Sequence, residues 1–269
     1  MKQTNIRLAL IAVAALLLTS SPLFAQVPLG TAQSFTVLGG STVTNTGSTV
    51  VTGNLGVSPG SAVTGFPPGT VVGGSIHAAD AVAAQAQADL TIAYNTAAGL
   101  PCGTDLTGQD LGGLTLTPGV YCFSSSAQLT GTLTLDMQGD PNALFVFQIG
   151  SSLTTASTSS VAAINTGGAP CPANLFWQIG TSAIFGTGTS FAGNVLALAS
   201  ITMNTGSNTT GRLLARNGAV TLDTNVISSC ATVPGGGTEV GVPALDYAGL
   251  ALLTLLLGAI ALFAINRVA

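Results

Sequence analysis

The sequence predicts a mostly-β protein wound as a β-solenoid, with one long α-helix over about residues 76–98 packed alongside it. Three observations carry this prediction. Short stretches alternate apolar with hydroxyl side chains, the period-two pattern of a strand with one face in a core. A four-residue word, Thr-(Gly/Ala)-Ser-(Thr/Asn), recurs along the chain at an interval that suits one coil of a solenoid. A single stretch changes to three- and four-residue spacing of its apolar residues, the mark of a helix.

The alternating stretches are residues 114–117, 129–135, 144–149, 175–179, 195–201 and 220–226. Gly and Asn occupy the breaks between them, as solenoid corners require. Ahead of them, residues 26–74 are rich in Thr, Val and Gly, with turn punctuation at Pro59-Gly60 and Pro67-Pro68-Gly69. A sandwich would show similar strands, but not the same word at the same place in successive coils.

The word reads Thr46-Gly47-Ser48-Thr49, Thr155-Ala156-Ser157-Thr158 and Thr205-Gly206-Ser207-Asn208, with a near copy at Thr187-Gly188-Thr189-Ser190. The starts at 187 and 205 lie 18 residues apart, and the related Leu222-Asp223-Thr224-Asn225 begins 17 further on. Stacking would range these small hydroxyl side chains along one surface. A plain strand would turn the first and third positions outward, and a corner would change that.

The helical stripe is Ala79, Val82, Ala83, Ala86, Leu90, Ala93, Tyr94 and Ala97. Ser75 can cap its start, and Gly99 with Pro101 stops it. Small Ala residues let such a helix lie close against a sheet, leaving Gln85, Gln87 and Asp89 exposed.

Composition narrows the function. Only 5% of the residues are charged, against about 25% in ordinary domains. Between Gln26 and Val240 the basic residues are Arg212 and Arg216, so nucleic acid is excluded as a partner. Four cysteines (Cys102, Cys122, Cys171 and Cys230) allow three pairings, of which Cys102–Cys122 and Cys171–Cys230 are favoured, the first because both flank one short stretch. A metal is not expected, because no Cys-x-x-Cys spacing occurs and His77 is the only histidine. No cofactor is expected either.

No catalytic constellation is evident. His77 falls in the expected first helical turn without a nucleophile or orienting acid. Arg212 and Arg216, four apart in a strand region, share a face and could bind a carboxylate, as in an enzyme acting on acidic polysaccharide; an ion pair with Asp223 is the structural alternative. Asp136 and Asp140 show no catalytic spacing relative to them. Asp105 and Asp110 flank Thr-Gly and Leu-Gly-Gly and are read as turn residues. Trp177 and Phe176 lie in an alternating strand that sends one of them into the core.

The ends carry targeting features. Lys2 and Arg7 precede an apolar run over residues 8–18, the plan of a secretory signal cleaved after Ala25, which makes disulfides permissible. Residues 234–241 read as a Gly-rich linker. Residues 248–265 are 18 uncharged residues followed by Asn266-Arg267, long enough to span a bilayer. The last 28 residues, 242–269, resemble the tripartite C-terminal sorting signals of Gram-negative bacteria, with Pro243, Leu245 and Gly249 matching and Ala244 departing from the usual Thr. That resemblance implies a sorting protease as a partner and display at the cell surface. A permanent single-pass anchor is the alternative.

Longer motifs point to a family for residues 26–233. The stretch Gly53-Asn-Leu-Gly-Val-Ser-Pro-Gly-Ser-Ala-Val-Thr-Gly-Phe-Pro-Pro-Gly69 resembles the N-terminal signature of the microbial ice-binding-like domain. So do the segment from His77 through Asp89-Leu-Thr-Ile-Ala-Tyr-Asn-Thr-Ala-Ala98 and Asp105-Leu-Thr-Gly-Gln-Asp-Leu-Gly-Gly-Leu-Thr-Leu-Thr-Pro-Gly-Val-Tyr-Cys122. Leu144-Phe-Val-Phe-Gln-Ile-Gly150, Gly193-Asn-Val-Leu-Ala197 and Gly211-Arg-Leu-Leu-Ala-Arg-Asn-Gly-Ala-Val-Thr-Leu222 complete the likeness. It implies a right-handed, discontinuous β-solenoid of triangular section with a long helix alongside. It also implies a monomeric ectodomain that adsorbs to an ice crystal surface and its ordered water through one flat face. On the family's Thr-(Ala/Gly)-x-(Thr/Asn) word, the expected ice-binding residues are Thr46, Ser48, Thr49, Thr155, Ser157, Thr158, Thr187, Thr189, Ser190, Thr205, Ser207 and Asn208. An adhesin or matrix protein binding polysaccharide or other cells is the alternative from a different class.

Overall fold

Short β-branched stretches broken by Gly and Asn build a stack of parallel strands, and every strand ladder among the described residues is parallel. The computed structural model describes residues 27–230; the expected leader at 1–25 and the segment 234–269 lie outside them. Each complete coil contributes one strand to each of three faces, so the section is triangular.

Face 1 carries, in spatial order, Thr104–Asp105, Gly119–Phe123, Phe145–Ile149 and Leu175–Ile179, then the C-terminal halves of Ser190–Ala197 and Asn208–Ala215, then Phe35–Gly39, Asn54–Val57 and Ile76–Ala78. Face 2 is a separate seven-stranded sheet: Ala127–Leu129, Leu153–Thr155, Ala183–Phe185, Ile201–Met203, Val220–Asp223, Thr42–Thr46 and Ala62–Thr64. Face 3 holds Thr115–Leu116, Thr132–Asp136 and Ser160–Ile164, the N-terminal halves of the two long strands, then Val226–Ser228, Val50–Thr52 and Thr70–Val72. The order is discontinuous: the N-terminal coils stack beyond the last C-terminal one, with Val37 opposite Leu213 and Val43 opposite Val220.

Inward side chains fill the prism. An aromatic column runs through it, Tyr121 on Phe147 at 5.3 Å, Phe147 on Trp177 at 4.0 Å and Trp177 against Phe191 at 4.9 Å. Trp177 is fully buried, and its indole N–H donates to Ala192 O at 3.0 Å, which satisfies its polar end. Phe176 is buried too, on the opposite side of the same strand beneath the helix.

The helix α1 spans Ala81–Ala98, shorter than the residues 76–98 expected from spacing. Ile76–Ala78 instead form a strand, opposite Leu55, Gly56 and Val57. Chain direction then changes at Ala79, whose φ of 53° is left-handed, and Asp80 rather than Ser75 caps the helix by accepting from Ala83 N at 2.8 Å. The Ser75 N–H goes to Asn54 Oδ1. Ala83, Ala86, Leu90, Ala93, Tyr94 and Ala97 are buried against Leu38, Val146, Phe176, Leu196 and Leu214 of face 1, whereas Val82 is exposed. Face 1 is therefore covered.

Both disulfides are present, Cys102–Cys122 and Cys171–Cys230, each with Cα atoms 5.9 Å apart. The second ties the loop at 165–174 to the end of the last coil. That loop lies where face 3 divides. Ser160–Ile164 meets the next strand only at Ser160 opposite Ser190, and Ala169 packs into the opening as part of the core. Face 3 is interrupted and face 2 is continuous.

Candidate functional site

Among the described residues, face 2 is the sheet that is neither covered by the helix nor interrupted. Five of its strands turn a middle residue toward solvent between two inward ones, and in the other two Thr44 and Thr64 stand outward after inward Val43 and Val63. Register aligns those outward residues into a single row: Gln128, Thr154, Ile184, Thr202, Thr221, Thr44 and Thr64. Flanking Leu153, Ile201, Val220, Leu222 and Val43 are fully buried and hold the row in place. Neighbouring rungs of such a sheet are about 4.7–4.9 Å apart. The row contains no charged residue.

Two further rows flank it. On one side lie Ser126, Ser152, Ser182 and Ser200, whose hydroxyls are engaged within the protein. Ser126 Oγ lies 2.9 Å from Ser152 Oγ, while Ser182 Oγ and Ser200 Oγ accept from Ser200 N and Ala219 N. On the other side is the corner toward face 3, where the recurring words fall. There Thr158 N donates to Thr187 O, Gly188 N to Thr205 O, Gly206 N to Asp223 O and Thr224 N to Thr46 O. These bonds align Ser157, Thr187, Thr205, Asp223 and Thr46 in one outward row. The next position turns left-handed in each of these five coils, with φ of 59° at Thr158, 68° at Gly188, 69° at Gly206, 55° at Thr224 and 78° at Gly47. Glycine takes that conformation without the steric cost of a Cβ.

The corner departs from the word-based expectation. The words at 187 and 205 stack in register, with Ser190 opposite Asn208. The word at 155 stands two residues out of step: Ser157-Thr158-Ser159-Ser160 takes the equivalent place, and Thr155 points inward. The last coil enters as Asp223-Thr224-Asn225-Val226, one residue later than its resemblance to the word places it. Thr49, Thr155, Thr189 and Ser207 are buried, which removes them from any outer surface. They serve the inside of the corner. Thr155 Oγ1 lies 2.8 Å from Thr189 Oγ1, Thr189 Oγ1 donates to Ala156 O, and Ser207 Oγ donates to Asn204 O. Thr46, Ser48, Ser157, Thr158, Thr187 and Thr205 are exposed at the corner, while Ser190 and Asn208 are exposed on face 3.

The recurring words do not contain the Thr row of face 2, because each strand contributes at most one outward residue to it and the intervals in sequence are irregular. Its signal is the triplet apolar–Thr–apolar, as in Ile201-Thr202-Met203 and Val220-Thr221-Leu222.

Arg212 and Arg216 do share a side of their strand, but that side is covered. Buried Arg212 donates through Nε to Gln33 O and through Nη1 to Asn194 Oδ1, and burial lowers its pKa from the usual guanidinium range. Arg216 sits 4.7 Å from the centre of the Tyr94 ring. Neither pairs with Asp223, which ends a face 2 strand and accepts from Thr205 and Thr224. His77 lies in a strand rather than a helix, with Nδ1 2.7 Å from Asp80 Oδ2. Asp105 and Asp110 brace turns, accepting from Thr107 N and from Gly112 N and Thr130 N. Among the described residues no group of three His, Cys, Asp or Glu side chains could hold a metal, and no helix is long and apolar enough to cross a membrane.

Known proteins share this fold. The ice-binding-like family matches residues 37–228. The ice-binding protein of Nostoc sp. (strain HG1) is 66% identical over 208 residues, covering 77% of this chain and 76% of that protein. That of Colwellia sp is 36% identical over 217 residues, covering 76% and 83%. A crystal structure of an ice-binding protein from an Antarctic biological consortium superposes with a TM-score of 0.73 at 46% identity, covering 78% of this chain and 94% of its own. The Shewanella frigidimarina ice-binding protein 1 domain gives 0.69 at 33% identity, covering 76% and 98%. With parallel coils, a flanking helix and this length of match, the chain belongs to the ice-binding-like family.

Proposed function

We propose that the protein binds ice through face 2, with the row Thr154, Thr202, Thr221, Thr44 and Thr64 at its centre and Thr46, Thr187, Thr205 and Ser157 along its edge. One observation carries this reading: an uncharged, Thr-rich row on the sheet that, among the described residues, is neither covered by the helix nor interrupted by a loop. Thr44 Oγ1 reaches Thr221 Oγ1 at 3.4 Å, and where the rung spacing of about 4.7–4.9 Å keeps successive hydroxyls apart a water molecule can bridge them. Thr methyl groups between them discourage competing hydration. A lattice of such waters is already ice-like in spacing, and a rigid stack holds it without further ordering on contact. Adsorption at many points then restrains growth or recrystallisation of the crystal. The apolar segments at 8–18 and 248–265 support export and display outside the cytoplasm, with the latter acting as a sorting signal or an anchor.

The test is ice-crystal shape and thermal hysteresis of the purified protein, its Thr202→Tyr variant and an Ala84→Tyr control on the exposed side of the helix. Faceted crystals and hysteresis are expected for wild type and control, with hysteresis reduced about tenfold or more in Thr202→Tyr. Round, unrestrained crystals with wild type would overturn ice binding. Glycan binding without any effect on ice would favour the adhesin instead.

A further inference from the structure

The outward row of face 2 has one apolar member. Ile184 is 43% exposed, with Thr154 opposite on one side and Thr202 on the other. Four Thr residues, Thr202, Thr221, Thr44 and Thr64, follow without a break beyond it. Thr154 is cut off from them by a single rung.

We infer that Ile184 limits the ice affinity of this face, because it removes the hydroxyl from the rung joining Thr154 to the remaining Thr run. The inference rests on the proposed ice-binding role of face 2. Its physical basis is bridging water. Hydroxyls on rungs about 4.7–4.9 Å apart that do not meet directly, as Thr44 and Thr221 do at 3.4 Å, are joined through a water, so the hydroxyl missing at 184 removes two such bridges, toward Thr154 and toward Thr202. The Ile Cγ1–Cδ1 arm stands where Thr would hold Oγ1, and it extends one carbon farther from the sheet. Thr202 and Thr154 donate to no protein acceptor among the described residues, so both are free to hold such waters.

Nothing in the scaffold requires Ile at this rung. Its neighbours Ala183 and Phe185 point into the core and are fully buried, so the packing that fixes the strand does not involve the Ile184 side chain. Thr and Val are β-branched like Ile and suit a strand equally well. Val and Thr are nearly the same shape, so the pair separates a missing hydroxyl from excess bulk.

The test compares hysteresis at equal concentration for the full-length wild type, Ile184→Thr and Ile184→Val, with thermal midpoints measured to confirm folding. Hysteresis about twofold or more above wild type in Ile184→Thr, with Ile184→Val unchanged, is the expected result. No rise in Ile184→Thr would overturn the inference. An equal rise in both variants would overturn it as well, since bulk rather than the hydroxyl would then be the limit. A wild type without hysteresis defeats the ice-binding reading beneath it. An active wild type whose Thr202→Tyr variant stays fully active defeats the assignment to face 2 instead.

Discussion

Thr205 Oγ1 donates to Asp223 Oδ2 across one coil step, so the carboxylate of the corner row is held by the hydroxyl of its neighbour in that row. Thr224 Oγ1 donates to the other carboxylate oxygen. The pair places a charge at the edge of an otherwise uncharged hydroxyl surface, where it imposes its own water geometry.

Asp223→Asn is expected to raise hysteresis at neutral pH, since the amide keeps an acceptor for Thr205 and loses the charge. Stability should change by no more than about 0.5 kcal/mol, as for most surface substitutions. Hysteresis and denaturant midpoints of the two proteins, measured in one buffer, check both statements.

Asn225→Ala should be costly. The fully buried Asn225 amide donates to Asn204 O at 3.1 Å and Ser207 O at 2.8 Å, and its Oδ1 accepts from Asp223 N at 2.6 Å. Removing it leaves these buried backbone groups unpaired, at about 1–3 kcal/mol. Urea denaturation reads the loss directly.

Replacing Cys102 and Cys122 together by Ser is expected to destabilise by about 3 kcal/mol, the value for a loop of this size, since 20 residues separate them. The bridge lies at face 1, so crystal shaping well below the melting temperature should persist. A loss of shaping in a folded variant would contradict the assignment to face 2.

Acid should weaken the fold in a specific way. The Asp89 carboxyl accepts from the Thr31 hydroxyl and then the Thr31 N–H, which hold it below the usual carboxylate range. Asp105 is lowered by Thr107, and Asp136 by Asn165 and Gln138. A carboxyl with a folded pKa below its unfolded value near ~3.9 contributes stability that is complete above that value. The contribution disappears as pH falls through the lowered folded value. Thermal midpoints should therefore be flat from neutral pH to about 5 and decline below about 4, and Asp89→Asn should make that decline shallower.

The fold was largely legible because strand alternation and the Ala-rich stripe are local signals. The helix start was not, because Ile76–Ala78 is a strand only by virtue of pairing with residues 55–57, 21 residues earlier, and spacing alone cannot reveal that partner. The site was legible only in part. The words at 46, 187 and 205 do mark a common corner, but the word at 155 reads the same and sits two residues out of step. The inward turn of Thr189 and Ser207 comes from the left-handed residue before each, a corner property that strand alternation does not contain. The row through Thr44, Thr154, Thr202 and Thr221 needs the stacking order, which differs from the chain order.

That order has a developmental side. The strands at 35–39 and 226–228 both enter the middle of the stack, the first beside the strand ending at 215 and the second between Val50–Thr52 and the strand beginning at Asn208. During synthesis the first two coils therefore emerge with one flank bare, and their partners are among the last strands made. Nor can evolution lengthen the hydroxyl surface by appending repeats at a terminus, as an ordinary solenoid can. A new rung has to be inserted inside the sequence, between the strand Ile76–Ala78 and the helix or near the start of the coils that follow the helix. The width of the surface is in this sense set from within the described stack, where both Phe35–Gly39 and Val226–Ser228 are flanked by strands on either side.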